Sequence, residues 1–340
     1  MEIKQAISHI VDRVDLGADD MQAVMRQIMT GEATPIQIGG FLAGLRTKGE
    51  TVTEITAAAR VMRELAMRID VPTEHLVDTC GTGGDSSGTF NVSTASAFVV
   101  AAGGGRVAKH GNRSMSSKSG SADVLEALGV NVDLPPDRVA ECIDAIDVGF
   151  LFAPSYHAAA KHAARPRQEL GTRTLFNLLG PLTNPAGAPH QLLGVFGRRW
   201  VEPLAKVLRD LGSRHVLVVH SEDGLDELSI AAPTSVAELR DGQVRTYRVR
   251  PEEVGVEAGS LDDLRVDGPE ESAARIRAVL EGESGPAADI VALNAGAALF
   301  AADVTPSLAE GVARAREVLA DGSALERLES LRTMTRAVAS

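Results

Sequence analysis

Aromatic residues are scarce in this chain: one Trp, two Tyr and eight Phe in 340 residues. Proteins that bind single-stranded nucleic acid stack bases on aromatic rings, so the composition argues against such a platform. A basic excess is missing too. The chain has 34 Lys and Arg against 46 Asp and Glu, a net charge of −12, which speaks against a broad nucleic-acid or membrane surface. An anionic ligand would have to be held by a local basic cluster. There are only two cysteines, Cys80 and Cys142, with neither a disulfide framework nor zinc spacing. Cys80 reads as a small residue in a tight loop. The apolar runs are short and diluted by Ala and Gly, and none is long enough to span a bilayer. The start, Met1-Glu2-Ile3-Lys4-Gln5, lacks a signal-peptide pattern. These absences predict a soluble, cytoplasmic protein with no nucleic-acid or membrane partner.

The stretch Asp78-Thr79-Cys80-Gly81-Thr82-Gly83-Gly84-Asp85 organises the rest. Glycines after an apolar lead-in read as a tight loop leaving a strand, with backbone free to approach a ligand. Successive N–H groups in such a loop can form an anion nest. The loop lacks the Gly-Lys-Ser/Thr ending of a P-loop, and Gly81, Gly83 and Gly84 do not fit Gly-x-Gly-x-x-Gly. Downstream, Asn91-Val92-Ser93-Thr94 opens an apolar, alanine-rich run that predicts a buried helix. A loop feeding a helix N-terminus suits phosphate, because free N–H groups and the helix dipole face the anion.

Residues 1 to about 70 read as helices only. Met21, Val24, Met25, Ile28 and Met29 share one helical face, Thr34-Pro35 looks like a helix start, and Thr51 to Glu54 has capping-box spacing. From about 72, strands alternate with helices. Expected strands are 75–78, 106–109, 149–152, 191–196 and 215–220, with 243–249 added; expected helices follow Asn91, Ser121, Ser155, Trp200 and Ser272. The polar 251–271 stretch reads as surface loop, and the chain from Ala287 on as helical. The expected fold class is α/β: a small, mostly helical N-terminal domain (1–70) and a larger α/β domain (72–340) with a mostly parallel central sheet.

Three further stretches carry chemistry. The run 109–121 places Lys109, His110, Arg113, Lys118 and five serines in a chain that is acidic overall. Ammonium, guanidinium and hydroxyl donors suit an oxygen-rich anion such as pyrophosphate. In the run from Tyr156 to Arg167, His157 and His162 are five apart and do not share a helix face, so zinc is a poor reading. Arg167, beside Pro166 at the expected helix end, is the stronger functional candidate there. Finally, Asp226 and Glu227 follow the apolar strand 215–220, where open α/β sheets place ligand groups and where hard oxygens suit Mg²⁺ bound with a polyphosphate.

At 78–85, 91–94, 109–117, 173–181 (Arg173-Thr174-Leu175-Phe176-Asn177-Leu178-Leu179-Gly180-Pro181) and 223–227, the sequence resembles the anthranilate phosphoribosyltransferase family. The resemblance runs in order along nearly the whole chain. It implies a nucleoside phosphorylase/phosphoribosyltransferase-like fold and an enzyme of tryptophan biosynthesis joining anthranilate to 5-phosphoribosyl 1-pyrophosphate. It implies a homodimer formed through the helical domain, with that domain completed by about 170–185. For the phosphoribosyl donor it implies Gly81, Gly84, Asp85, Thr89, Asn91, Val92, Ser93, Thr94, Lys109, His110, Gly111, Asn112, Arg113, Ser114, Met115, Ser116, Ser117 and Ser121. For Mg²⁺ it implies Ser93, Asp226 and Glu227, and for anthranilate Gly81, Asn112 and Arg167. No general base is assigned; His110 is the candidate acceptor of the amine proton, alongside a role in loop geometry or substrate contact. Two rivals have other discriminators. A pyrimidine nucleoside phosphorylase shares the architecture and a Lys-His loop, but the acidic pair and the 173–181 motif favour the transferase. A non-catalytic nucleic-acid-binding relative would show a basic groove and no metal pair.

Overall fold

The computed structural model describes residues 1–85, 87–113 and 119–336; the expected donor residues Ser114, Met115, Ser116 and Ser117 lie outside them. Four helices open the chain: α1 (Ile3–Val11), α2 (Ala18–Thr30), α3 (Pro35–Lys48) and α4 (Val52–Leu65). Their starts are set locally. Thr34 and Gln37 exchange side-chain and backbone hydrogen bonds ahead of α3, and Thr51 and Glu54 do the same ahead of α4. Glu54 is fully buried, and such a charge needs partners. It has them: the N–H groups of Leu16 and Thr51 donate at 2.9 Å each, and the Lys48 ammonium lies at 3.0 Å.

The remaining described elements form a sheet and its covers. The strands are β1 (Leu76–Asp78), β2 (Arg106–Gly111), β3 (Val148–Phe152), β4 (His190–Gly194), β5 (His215–Ser221), β6 (Thr234–Arg240) and β7 (Gln243–Val249). The helices are α5 (Val92–Gly103), α6 (Ser121–Ala127), α7 (Pro136–Ile146), α8 (Ala153–Tyr156), α9 (Lys161–Leu170), α10 (Phe176–Leu179), α11 (Val201–Asp210), α12 (Pro269–Leu280), α13 (Pro286–Ala301), α14 (Leu308–Asp321) and α15 (Ser323–Arg336). The strand order is β3-β2-β1-β4-β5-β6-β7, parallel through β5 and antiparallel for β6 and β7.

Side-chain alternation sorts the sheet's two faces. On β5, Leu217 and Val219 join the core of α5 and α12 to α15, while Val216 and Val218 join the core of α4 and α11. The chain therefore leaves β1 through α5 on one face and leaves β4 through α11 on the other. Adjacent strands whose crossovers depart to opposite faces open a crevice at their carboxyl ends. Leu175, Leu178, Leu179 and Leu182 share the apolar cluster of α1 to α4, so the chain between β3 and β4 packs with the N-terminal helices.

Several elements differ from the sequence reading. Strand β6 was not expected; Asp241 and Gly242, at φ of 51° and 74°, make the two-residue turn that pairs it with β7. Helix α7 was also missed, although Pro136 opens it and Val139, Cys142, Ile143 and Ile146 line its buried face. Pro166 sits inside α9 rather than at its end. The 251–271 stretch is not simply surface loop: Val256, Leu264 and Val266 are buried. The Leu264 carbonyl accepts from Phe90 N–H, and Val266 N–H donates to Gly88, both at 2.9 Å, so this segment backs the glycine loop.

Candidate active site

The crevice at the ends of β1 and β4 is lined by the glycine loop, the start of α5, the end of β2, and Asp226 and Glu227. Gly83 and Gly84 adopt φ of 64° and 80°, a region costly for residues with a Cβ. Thr82 holds the loop to β4: its N–H donates to Gly194 O at 2.8 Å, and its hydroxyl accepts from Phe196 N–H at 2.9 Å. A Cβ on Gly81 would lie 3.2 Å from a carboxylate oxygen of Asp226, so the loop and the acidic turn are in close approach.

Lys109, on β2, is buried beneath this loop. Its ammonium donates to the Thr79 carbonyl (3.0 Å), the Thr79 hydroxyl (3.3 Å) and the Ser93 hydroxyl (3.1 Å). Burial lowers its pKa, opposed by Cys80, Asp78 and Glu227. Asn91 caps α5, its Oδ1 accepting from Thr94 N–H at 3.0 Å and from the Ser93 hydroxyl at 3.2 Å. Asn91 also reaches the Ser119 carbonyl at 3.3 Å, tying α5 to the basic loop. Val92 opens the helix with its side chain in the core.

Asp226 and Glu227, on the turn after β5, gather with Asp85 at the end of the glycine loop. Burial and then the Asp85 carboxylate raise the pKa of Asp226, which accepts from Gly83 N–H. Burial and then Asp226 raise that of Glu227, which accepts from Ser93 N–H, while Lys109 pulls it down. The expected metal set of Ser93, Asp226 and Glu227 is thus brought together, with Asp85 as a third carboxylate beside it.

A second group, Asp78, Cys80 and His110, has potential ligand atoms within 4.8 Å of one another. Its chemistry is not that of a metal site. Asp78 accepts from His110 N–H at 3.1 Å and from the Asn184 amide at 2.7 Å, and burial pushes its carboxyl up to about 6. Burial also pushes the Cys80 thiol up, away from the thiolate a metal needs. His110 is driven down to about 3 by burial, then by His157, whose ring centroid is 5.2 Å away. The Gly180 backbone opposes that shift, but neither ring nitrogen of His110 makes a hydrogen bond of good geometry among the described residues.

On the far side of the cleft, Arg167 comes from α9, with its guanidinium 5.0 Å from the Phe176 ring centroid. Burial lowers its pKa, and no carboxylate pairs with it among the described residues. Phe176, Asn177, Gly180 and Pro181 line the cleft with it. The other expected residues are placed less directly. Arg113 is committed to Glu126. Asn112 is exposed, its carbonyl accepting from Ser121 Oγ at 3.3 Å. A Cβ on Gly111 would strike that same hydroxyl. Thr89 bridges to Arg265 and contacts the Ser87 hydroxyl at 3.2 Å. His162 packs on Gly31, and Arg165 pairs with Glu169 at 2.7 Å, neither in the cleft lining.

The chain matches the glycosyl transferase family helical bundle domain over residues 4–66 and the glycosyl transferase family a/b domain over residues 73–325. It is 64% identical to an anthranilate phosphoribosyltransferase of Thioalkalivibrio sulfidiphilus, covering 98% of this chain and 99% of that protein. It is 62% identical to the one of Alkalilimnicola ehrlichii, over 99% and 100%. It also resembles the crystal structure of the Thermus thermophilus anthranilate phosphoribosyltransferase, with a TM-score of 0.92, 50% identity, and 97% and 99% coverage. The Saccharomyces cerevisiae enzyme in complex with PRPP and Mg gives 0.89 and 27% identity, with 98% of each chain covered. The chain belongs to the anthranilate phosphoribosyltransferase family. No helix among its described residues is long and apolar enough to cross a membrane.

The sequence reading missed residues that hold this site without facing it. Asn184 binds Asp78 and the Ala108 carbonyl, at 2.7 and 2.8 Å, joining the 170–185 segment to β1 and β2. Asn294 lies in α13, which is otherwise almost wholly apolar, and exchanges bonds of 2.9 Å with both backbone groups of Leu228, next to Glu227. A lone Asn in an apolar helix was the available signal, since a buried amide must find partners.

Burial holds His157 down to about 4, from an ordinary value near 6.5, with the Thr183 backbone opposing. Between those values the unfolded chain binds more protons, so His157 stabilises the fold fully above about pH 6.5 and loses that contribution as pH falls toward 4. Asp78, raised to about 6, acts oppositely: its contribution is lost as pH rises through 6. His157→Phe should flatten the fall in urea midpoint between pH 6.5 and 4; an unchanged slope would refute a buried neutral ring.

Proposed function

We propose that this cleft transfers the 5-phosphoribosyl group of 5-phosphoribosyl 1-pyrophosphate to the amine of anthranilate, a step of tryptophan biosynthesis. The carrying observation is the meeting, at one crevice, of the glycine loop, the start of α5, Lys109 and the acidic pair. The amine nitrogen bonds to C1 of the ribose as the C1–O bond breaks; pyrophosphate departs and the nitrogen loses a proton. The products are N-(5-phosphoribosyl)anthranilate and pyrophosphate.

The donor's pyrophosphate lies against the loop N–H groups and the start of α5, above the charge of Lys109. As C1–O cleavage moves negative charge onto pyrophosphate, these fixed donors and the buried ammonium stabilise it without reorganising. The carboxylates Asp226 and Glu227, with pKa values raised by burial and by neighbouring carboxylates, are short of positive charge, and their hard oxygens, with those of Asp85 beside them, fit Mg²⁺. Ser93, Asp226 and Glu227 would hold it. When bound, Mg²⁺ neutralises pyrophosphate and makes it a better leaving group.

Anthranilate sits on the Arg167 side. A half-buried guanidinium with no carboxylate paired to it among the described residues suits the carboxylate of anthranilate, and Phe176 and Pro181 offer apolar walls to its ring. Its amine is already neutral near pH 7, so it needs orientation more than activation; orientation is worth up to roughly 7–11 kcal/mol in ideal systems. His110, kept neutral by burial, is a weak base, matched to the acidic proton of an arylammonium.

The division into a helical domain (1–70, completed by 170–185) and an α/β domain (72–340) belongs to the same proposal, as does action in the cytoplasm. So does a homodimer through the helical domain. Val11 at the end of α1, Val14 just beyond it and Ile36 in the first turn of α3 are 67%, 48% and 88% exposed, apolar side chains of the helical bundle that a second copy would cover. Ile36→Glu should convert a dimer to monomers in sedimentation; an unchanged mass would overturn that interface.

The direct test is loss of anthranilate fluorescence with and without the donor and Mg²⁺; loss independent of either would contradict the reaction. Asp226→Asn combined with Glu227→Gln should raise the Mg²⁺ concentration for half-maximal rate, and wild-type dependence would make the pair ordinary charge. Arg167→Ala should raise the KM for anthranilate roughly 10- to 150-fold, the value of a charge-assisted hydrogen bond, and the donor KM far less. Equal rises in both would rule out the division between donor and acceptor sides.

A further inference from the structure

Arg173 is exposed and does not line the cleft, yet it is tied to the most conformationally demanding part of it. Its Nη2 donates to the Gly84 carbonyl, and its guanidinium lies 4.3 Å from the centroid of the Phe196 ring. Its own carbonyl accepts from Nη1 of Arg46, in the last turn of α3. The next residue, Thr174, is fixed by its N–H on Asn177 Oδ1 at 2.9 Å. A long side chain surrenders rotamer freedom on ordering, and an exposed one held only by water would not.

The geometry has a consequence for the loop. A trans peptide is planar, so the Gly84 carbonyl and the Asp85 N–H point in opposite directions. With that carbonyl held by Arg173 outside the cleft, the Asp85 N–H turns the other way, toward the cleft that Gly84 and Asp85 line. The first half of the loop is fixed by Thr82, whose hydroxyl accepts from Phe196 N–H at 2.9 Å. Phe196 therefore serves both halves, one through its backbone and one through its ring.

We infer that Arg173 is a positioning residue for the reaction: it locks the glycine loop in the conformation whose N–H groups receive pyrophosphate. Through Arg46 it also ties that loop to α3 of the helical bundle. This rests on the reading of the glycine loop as the donor site. Arg173 acts through the loop and touches neither substrate.

The test compares Arg173→Ala, Arg173→Lys, Phe196→Leu and Lys109→Ala in the full-length enzyme, varying each substrate in turn at saturating Mg²⁺. Binding of inorganic pyrophosphate with Mg²⁺ is measured by calorimetry, and Tm for each variant. Arg173→Ala should raise the donor KM about tenfold or more and weaken pyrophosphate binding in parallel, leaving Tm and the anthranilate KM unchanged. Arg173→Lys, which keeps a cationic donor, should recover part of the loss. Phe196→Leu should shift the donor KM in the same direction by less, and adding it to Arg173→Ala should cost little more, because the ring acts through the guanidinium. A lowered Tm with both KM values unchanged, or equal rises in both KM values, would overturn the inference. If Lys109→Ala raises the donor KM and Arg173→Ala does not, this inference falls and the donor-site reading stands; if neither does, both fall.

Discussion

Gly194, the last residue of β4, is pressed against the backbone of Asp226: a Cβ there would lie 1.5 Å from the Asp226 carbonyl oxygen. No other residue type fits, and the site depends on this contact. It brings the turn after β5 back across the end of β4 until Asp226 and Glu227 face the glycine loop after β1. Thr82 closes the other side of the same junction through its bond to the Gly194 carbonyl at 2.8 Å. The crevice itself follows from strand order, because β1 and β4 are neighbours whose crossovers leave to opposite faces. The two glycine contacts then decide how closely the walls approach.

Charge in that crevice is arranged against solvation rather than with it. Lys109 is buried with all its close partners neutral, and Asp78 is buried with amide donors. Taking both from water is costly, and each makes the other's charged form less unfavourable. Asp85, Asp226 and Glu227 repel one another, and Glu227 is only partly compensated by Lys109. A site with a cluster of carboxylates short of cations and a buried ammonium beneath the loop beside them is complementary to a metal–pyrophosphate ligand. This also explains how a protein of net charge −12 can bind a polyanion: the favourable charge is local and desolvated, where it counts most.

The legible part of the molecule was its local chemistry. The caps at Thr34 and Thr51, the stripe of α2 and the apolar strands β4 and β5 announce themselves, because the residues that cause them are close in sequence. The glycine loop and the acidic pair were legible for the same reason. The hairpin of β6 and β7 was equally local, since Asp241-Gly242 suits a turn with both residues at positive φ, but the weak alternation of 234–240 concealed it. What local pattern does not carry is pairing at a distance. Asp78 meets Asn184 across 106 residues, and Leu228 meets Asn294 across 66. The inward commitment of Lys109 and the pairing of Arg113 with Glu126 are similarly tertiary facts; sequence composition alone makes both look like free phosphate ligands.

The two sides of the cleft are carried by different elements. Gly81, Lys109 and Asp226 stand on the ends of parallel strands or their loops, held by the sheet. Phe176, Asn177 and Pro181 stand on a segment whose leucines share the apolar cluster of α1 to α4. A reaction that asks mainly for orientation is sensitive to the distance between two such sets of residues, since an error near 1 Å can cost about a hundredfold in rate. Two polar ties, from Asn184 to Asp78 and from Arg173 to Gly84, join that segment to the sheet and to the glycine loop, and so bear on that distance.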